Sequence, residues 1–457
     1  MTLIQELEAI VGSAGVIAGA ELDRPVSYWN TSPTRAVGLV APATTEEVSR
    51  VLALCSERGQ TVVTQGGMTN CVAAADAGEP ELILSTHRMN TIGMIDPVQG
   101  TVTVEAGVIL QQLQEACAQQ DLTFPLDLGA RGSCTVGGNV STNAGGINVL
   151  RYGMMRQLVL GMEVVLADGR ILSSMNEMLK NNTAYDLKQL FIGSEGTLGI
   201  VTKVVLRLFP RPVTCQTALV ACGSFDAVTS LLDSARTSLG GDLSCFEVMW
   251  GDYYAAVTRD RRAPIPAEHP FYVIVESEGF DPGRDPEKFE AMLAAAWESG
   301  SVGDAIIAGS ERERRDIWMT REEFDPILKP DPCFLYDVSL PIPAMADYVE
   351  SVRASLDAEW PGTQFYALGH IADGNLHFFV RPAGAGEESH PVVNAKIYEP
   401  LATLGGAVSA EHGIGTEKLD WLGQSRSPVE IALMRELKRT LDPGNILNPG
   451  RVLPDAA

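Results

Sequence analysis

The stretch from Tyr366 to Val380 reads YALGHIADGNLHFFV and carries two of the six histidines in the 457-residue chain. Asp373-Gly374 is a pair that two-residue hairpin turns prefer, and both flanks are apolar and β-prone. With those two residues as the loop, Ala372 pairs with Asn375, Ile371 with Leu376 and His370 with His377. Directly paired Cβ atoms lie about 4.5–5.5 Å apart, so the two imidazoles meet on one side of the ribbon, close enough to share a metal ion. Solvated or ordinarily hydrogen-bonded histidines are the competing reading, and the scarcity of histidine favours the metal. Companions are offered by Ser409 to Gly415, SAEHGIG. In extended backbone Glu411 and His412 point to opposite sides, so one suits a metal and the other a substrate. Two imidazoles and a carboxylate suit Zn²⁺ or Mn²⁺ and leave coordination positions open.

These side chains need a framework, and its most unusual part is Pro125 to Gly146, PLDLGARGSCTVGGNVSTNAGG. Of these twenty-two positions six are Gly and six are Ser, Thr or Asn, which leaves few large apolar residues to fill a core. Gly lets backbone come close to a ligand, so successive N–H groups can cradle an anion while the polar side chains add donors. A phosphate-bearing cofactor fits such a segment; a plain loop is the alternative. A second cradle follows the strand expected over Thr61 to Thr64, which runs into Gly66-Gly67-Met68-Thr69. Neither a G-x-x-x-x-G-K-[ST] nor a G-x-G-x-x-G pattern occurs, which disfavours a nicotinamide-binding Rossmann domain.

The Gly-rich stretch, Gln65 to Asn70, GMEVVLADGRIL from Gly161, FIGSEGTLGIVT from Phe191 and PGNILNPGRVL near the end resemble the FAD-linked oxidoreductases of the vanillyl-alcohol-oxidase type. The branch resembled contains D-lactate, D-2-hydroxyglutarate and glycolate dehydrogenases, and the resemblance covers nearly the whole chain. It implies an α+β fold: a two-part PCMH-type FAD-binding domain, a ferredoxin-like cap and a C-terminal helical segment returning to the FAD domain. The boundaries expected are 1–34 for an N-terminal lead, 35–212 for FAD binding, 213–400 for the substrate cap and 401–457 for the closing segment. Non-covalent FAD is implied, because the Gly66 loop contains no His. The resemblance carries cofactor contacts onto Gly66, Gly67, Thr69, Pro125, Gly129, Ser133, Thr135, Gly137, Gly138, Asn139, Ser141, Thr142, Gly145, Gly196, Ile200 and Asn448. Met68 and Asn70 stand where relatives more often have Asn and Gly.

The same resemblance implies His370, His377 and Glu411 as ligands of a divalent metal, with zinc expected first and manganese second. His412 becomes the base beside the flavin, and Asn375 a neighbour of substrate or flavin. Ala372 departs from the usual Gly at a turn edge. A 2-hydroxy acid can chelate the metal through its hydroxyl and a carboxylate oxygen, which lowers the hydroxyl pKa. His412 then takes that proton and hydride passes from Cα to the flavin. Arg321, in Trp318 to Glu322, matches a family arginine that clamps the substrate carboxylate, a task suited to a planar fork; a surface arginine in the run ERERRDIWMTREE is the other reading. Where hydroxyglutarate-type members hold the distal carboxylate with a hydroxyl and a Lys, this chain has Asp325 and Leu335. The expected substrate is therefore a D-2-hydroxy acid with a neutral, apolar or cationic tail.

Composition narrows the classes. A net charge of −24 opposes nucleic-acid binding, which needs excess Lys and Arg. Eight cysteines without C-x-x-C pairs read as reduced thiols, and no basic leader or membrane-length apolar run is seen, so a cytoplasmic chain that is not integral to a membrane is expected. Partners expected are the 2-hydroxy acid, an electron acceptor such as an electron-transfer flavoprotein or quinone, and a second copy in a homodimer. Competing readings are the flavin-bearing subunit of a glycolate-oxidase-like complex, a D-2-hydroxyglutarate or D-lactate dehydrogenase, and a metal hydrolase, which would be colourless.

Along the chain, Thr44 to Glu47 forms a capping box opening a helix to about Glu57 with Val48, Val51, Leu52 and Cys55 on one face. Asp168-Gly169 suits a type I′ hairpin turn. From 213 to 400 the expected order is strand 217–222, helix 225–238, strands 243–249 and 271–277, helix 285–299, a long connector, strand 333–340, helix 343–357 and strand 364–370, a βαββαβ arrangement. Ser427 to Glu430 caps a last helix with Pro428 at its first position.

Overall fold

The computed structural model describes residues 1–329 and 332–454. It divides into two compact units, one of residues 1–146, 153–211 and 411–457, the other of 147–152 and 212–410.

In the first unit the helix Thr45–Arg58 begins as its sequence dictates. The Thr44 hydroxyl accepts from the Glu47 amide at 3.2 Å, and the Glu47 carboxylate reaches back to the Ala43 amide at 2.7 Å, one residue earlier than a standard capping box. Gly59, in the left-handed region at φ 63°, ends it. Val48, Val51, Leu52 and Cys55 are fully buried and pack with Val62, Leu82, Leu84, Ile446 and Leu447. Burying each large aliphatic chain contributes about 1.5–3 kcal/mol. Because Ile446 and Leu447 belong to this cluster and Val62 bridges Leu447, the end of the chain is built into the core of its beginning. The closing helix Pro428–Leu441 carries the full capping box expected at Ser427 and Glu430.

Two sheets frame this unit: Val16–Ala18, Gly38–Val40, Leu82–Ser85 and Val62–Gln65 in that order, and Ile92–Asp96, Thr101–Glu105, Ile200–Arg207, Val159–Val165 and Ile171–Ser174 in that order. The turn joining the last two differs from expectation. The Leu166 amide donates to the Arg170 carbonyl at 2.9 Å, so three residues form the loop, and only Gly169 has positive φ, at 85°. A type I′ turn needs positive φ at both central residues. Asp168 instead accepts from the Arg170 amide at 3.1 Å, which rewards an ordinary backbone at the Asp.

The second unit is built on an antiparallel sheet ordered Asp304–Ile307, Thr214–Cys222, Phe271–Gly279, Leu243–Trp250, Gln364–Gly369, Asn375–Arg381, Phe334–Ser339. Every residue of Leu243–Trp250 is buried, as expected of a strand covered on both faces. Leu219, Ala221, Cys245, Met249 and Leu368 pack with Tyr253, Tyr254, Ile317 and Trp318. The last four belong to helices Gly251–Thr258 and Glu311–Glu322. The second of these lies in the tract read above as a connector, as does the strand Asp304–Ile307. Beyond the edge strand Phe334–Ser339 the chain returns once more: the Ser339 amide donates to the Ala407 carbonyl at 3.0 Å and the Ala407 amide donates back at 2.7 Å. That exchange sets the line of residues 407–410.

Candidate active site

The two histidines meet, but not in the register expected. His377 pairs with Leu368, and the connection is the helical turn Ile371–Asp373 closed by Gly374 at φ 93°; the Asn375 amide donates to the His370 carbonyl at 3.2 Å. Asp373 keeps negative φ, so the two-residue turn does not form. His370 lies two residues beyond Leu368 and hence on the same face, as a diagonal neighbour of His377. Their ring centroids are 5.4 Å apart at an interplanar angle of 82°. The crossing needs Gly369, where a Cβ would stand 2.3 Å from the Asn375 carbonyl oxygen.

Glu247 fixes His370. Its Oε1 bonds His370 Nδ1, and its Oε2 accepts from Arg321 Nε at 3.0 Å. Burial alone would raise this carboxyl; the charges of His370 and Arg321 outweigh it and hold the pKa at about 2. When the imidazole is neutral, a carboxylate on Nδ1 holds the ring proton there and leaves Nε2 as the acceptor nitrogen. Arg321 lies beside this imidazole, its NH2 group 3.4 Å from His370 Nε2, with 14% of its side chain exposed. Glu247 escaped the sequence reading; its only signal is a lone acid in the apolar run LSCFEVMW.

On the other side of His377 its register partner Asp337 is fully buried. Asp337 Oδ1 accepts from Asn375 Nδ2 at 2.9 Å, and Oδ2 accepts from Ser409 Oγ and the Ala410 amide at 3.1 Å each. Asn375 thus turns its NH₂ toward Asp337 and the Val338 carbonyl, while its buried Oδ1 has no hydrogen-bond partner among the described residues. Leu335, two residues before Asp337 and opposite Phe379, shares the histidine face and is 37% exposed. Asp325 is exposed at the start of a short helix.

The glycine cradles belong to the first unit, and they touch. A Cβ on Gly66 would lie 2.3 Å from Thr135 Oγ1, and one on Gly67 2.1 Å from the Ser133 carbonyl oxygen, so the loop after the strand Val62–Gln65 lies backbone to backbone on the Gly-rich stretch. Thr135 caps the short helix Val136–Ser141, and Gly137 packs on Ala106. Asn448 Oδ1 accepts from the Thr64 amide at 2.9 Å and its Nδ2 donates to the Glu195 carbonyl at 2.8 Å, against Gly196. Gly66, Gly67, Ser133, Thr135 and Gly138 are thereby brought together, as are Asn448 and Gly196. Thr69 is half-buried. Pro125, Asn139 and Gly145 are buried, whereas Gly129 is exposed with open space around it. Ser141 and Thr142 turn their hydroxyls back on the carbonyls of Gly137 and Gly138. Ile200 is built into the apolar cluster.

Glu411 and His412 are tied to these loops. Glu411 Oε1 accepts from the Gly146 amide at 3.2 Å, and the His412 carbonyl accepts from Asn70 Nδ2 at 3.1 Å. Asn70 also accepts from the Val72 and Ala74 amides, so the unexpected residue has a stated task. Glu195, at φ 51°, is almost fully buried; its two oxygens accept from the Ile414 and Gly415 amides at 2.8 and 2.9 Å. Burial raises its pKa, and those amides and Lys418 oppose the rise only in part. Sequence reasoning gave Glu195 and Asp337 no role.

A family model described as FAD binding domain matches residues 36–174, and one described as FAD linked oxidases, C-terminal domain, matches 211–452. The chain is 40% identical to the mitochondrial D-2-hydroxyglutarate dehydrogenase of Bos taurus, over 99% of the chain and 83% of that protein. It is 34% identical to a putative mitochondrial D-lactate dehydrogenase of Schizosaccharomyces pombe (98% and 89%) and 36% identical to a D-2-hydroxyglutarate–pyruvate transhydrogenase of Saccharomyces cerevisiae (90% and 85%). In fold it is similar to p-cresol methylhydroxylase, with TM-score 0.77 at 18% identity over 99% of the chain and 96% of that structure. The relatives correct one expectation. Those from Bos taurus, Rattus norvegicus and Arabidopsis thaliana are named mitochondrial, which overturns a cytoplasmic assignment. Free and mostly buried thiols argue against an oxidising compartment but do not choose among reducing ones. No helix among the described residues is long and apolar enough to cross a membrane.

Proposed function

The chain belongs to the FAD-linked oxidases, and on that premise we propose that it is a dehydrogenase oxidising a D-2-hydroxy acid to the 2-oxo acid. The observation that carries this reading is the edge-to-face pair His370–His377 with His370 braced by Glu247, in a chain whose full-length relatives bear the names of D-2-hydroxy-acid dehydrogenases. The cofactor's residues fit: Gly66, Gly67 and Gly138 have no side chains, which lets two Gly-rich backbones pack together beside the Thr135 hydroxyl and offers N–H groups with which a pyrophosphate could be cradled. FAD, bound non-covalently, supplies the acceptor for the hydride leaving Cα.

The donor set of His370, His377 and Glu411 suits a divalent ion, zinc before manganese, which when bound would polarise the substrate hydroxyl. His412 takes the hydroxyl proton, and Arg321, held by Glu247, binds the carboxylate beside it. Residues 35–212 serve the cofactor and 213–400 the substrate, with 401–457 supplying Glu411 and His412. An acceptor such as an electron-transfer flavoprotein or a quinone, and assembly as a homodimer, complete the proposal and rest on the family resemblance alone.

Leu335 and Asp325 offer no cation to a second carboxylate, which favours a substrate tail that is neutral, apolar or cationic. The second reading, D-2-hydroxyglutarate itself, is favoured by the names of the relatives at 36–41% identity. Kinetics with D-lactate, longer apolar D-acids and D-2-hydroxyglutarate separate the two, with the 2-oxo product quantified against flavin reduced. Equimolar product from an apolar D-acid supports the first; the highest kcat/KM on D-2-hydroxyglutarate sinks it.

A further inference from the structure

We propose that Glu195, with Asp337 as its counterpart, is a positioning residue for the segment that carries Glu411 and His412; the inference rests on the dehydrogenase reading. That segment, Ser409 to Gly415, has no regular secondary structure and contains two glycines at positive φ, Gly413 at 87° and Gly415 at 52°. Such backbone is held only where its N–H groups find strong acceptors. Both ends find a buried carboxylate. Asp337 Oδ2 accepts from Ser409 Oγ and the Ala410 amide immediately before Glu411. Glu195 accepts from the Ile414 and Gly415 amides just after Gly413, with one oxygen for each. Glu195 is itself fixed, since its carbonyl accepts from Asn448 Nδ2. Each acid holds one end of the segment through two hydrogen bonds, so between them they set where residues 411 and 412 stand.

The acceptor count makes the idea specific. Glu195→Gln offers one acceptor to two amides and must leave one unsatisfied. Asp337→Asn is milder, because the unpaired Oδ1 of Asn375 can accept from the new NH₂ group. Gly413→Ala attacks the same contact from the loop, since its Cβ would stand 2.5 Å from Glu195 Oε1.

The test uses the full-length holoprotein and the anaerobic rate at which a saturating D-2-hydroxy acid bleaches the flavin, with flavin content and Tm measured beside it. E195Q is expected to keep its flavin and bleach about ten- to a hundred-fold more slowly, the usual loss when the partner behind a working residue is removed. D337N should lose only a few-fold. Added to His412→Ala, E195Q should cost little more, because both act on one step. An E195Q that bleaches at the wild-type rate, or whose loss multiplies fully with that of His412→Ala, overturns the inference while the dehydrogenase reading stands. If E195Q holds no flavin, G413A decides: slow bleaching with full flavin supports the inference, and the wild-type rate overturns it. A wild-type protein that no hydroxy acid bleaches overturns both.

Discussion

At the scale of single residues, His370 shows how a neighbour out of reach in sequence decides what a side chain does. An imidazole whose Nδ1 is held by a buried carboxylate has one nitrogen left for chemistry, and Glu247 does this from 123 positions away. Glu247→Gln is expected to weaken metal retention about 10–100-fold, measured by competition with a chelator; unchanged retention would count against a metal on His370. The substrate tail is tested at Leu335. Leu335→Lys should raise kcat/KM for D-2-hydroxyglutarate relative to D-lactate by about tenfold or more, since a charge-assisted hydrogen bond contributes about 1.5–3 kcal/mol. No change in that ratio would count against Leu335 as a neighbour of the substrate tail. His370 and His377 were legible because two scarce residues flank a turn signal. Glu195, Glu247 and Asp337 were not, since an acid in an apolar or Gly-rich run has no visible partner until the chain is folded.

At the scale of elements, both Asp-Gly pairs were read as two-residue turns and both proved longer, with only the Gly at positive φ. The position of each hairpin was legible; its register was not, and at Asp168 the reason is that the carboxylate accepts from the Arg170 amide two residues on. His370 and His377 still met, since a shift of two residues preserves the face. The helix Glu311–Glu322 was missed for its charge, although Ser310 and Glu313 carried a cap signal: the Ser310 hydroxyl accepts from the Glu313 amide at 3.3 Å. That helix delivers Arg314 and Trp318 to the buried Glu276, whose oxygens accept from Arg314 Nε and NH2 at 2.9 Å each and from Trp318 Nε1 at 3.0 Å. Burial would raise the Glu276 carboxyl, but these donors outweigh it and lower its pKa from 4.5. Its contribution to stability is therefore present above pH 4.5 and lost as pH falls below it. Glu276→Ala should cost about 3–5 kcal/mol in urea unfolding at neutral pH and flatten the acid side of the stability profile. In the other unit Gly67→Ala, which places a Cβ 2.1 Å from a carbonyl oxygen, should abolish flavin retention, read from the visible spectrum.

At the scale of the whole molecule, the fold was legible because its motifs span the chain, from the Gly66 loop to Asn448, and both family models fall along that span. The charge balance adds a consequence. A body of net charge −24 repels an anionic hydroxy acid at long range, and salt screens that repulsion. kcat/KM should therefore rise between low and physiological ionic strength, and a fall would mean that a basic approach dominates the field. The central claim is that a flavin and a metal act on one D-2-hydroxy acid. It is tested most directly by the visible spectrum of the purified protein under anaerobic conditions, before and after D- and L-2-hydroxy acids, with and without a chelator. The predicted result is a yellow protein bleached by D-acids alone, with bleaching abolished by the chelator and restored by Zn²⁺ or Mn²⁺. A protein that stays yellow with every acid, or that D-acids bleach equally well after the metal has been stripped, would contradict it.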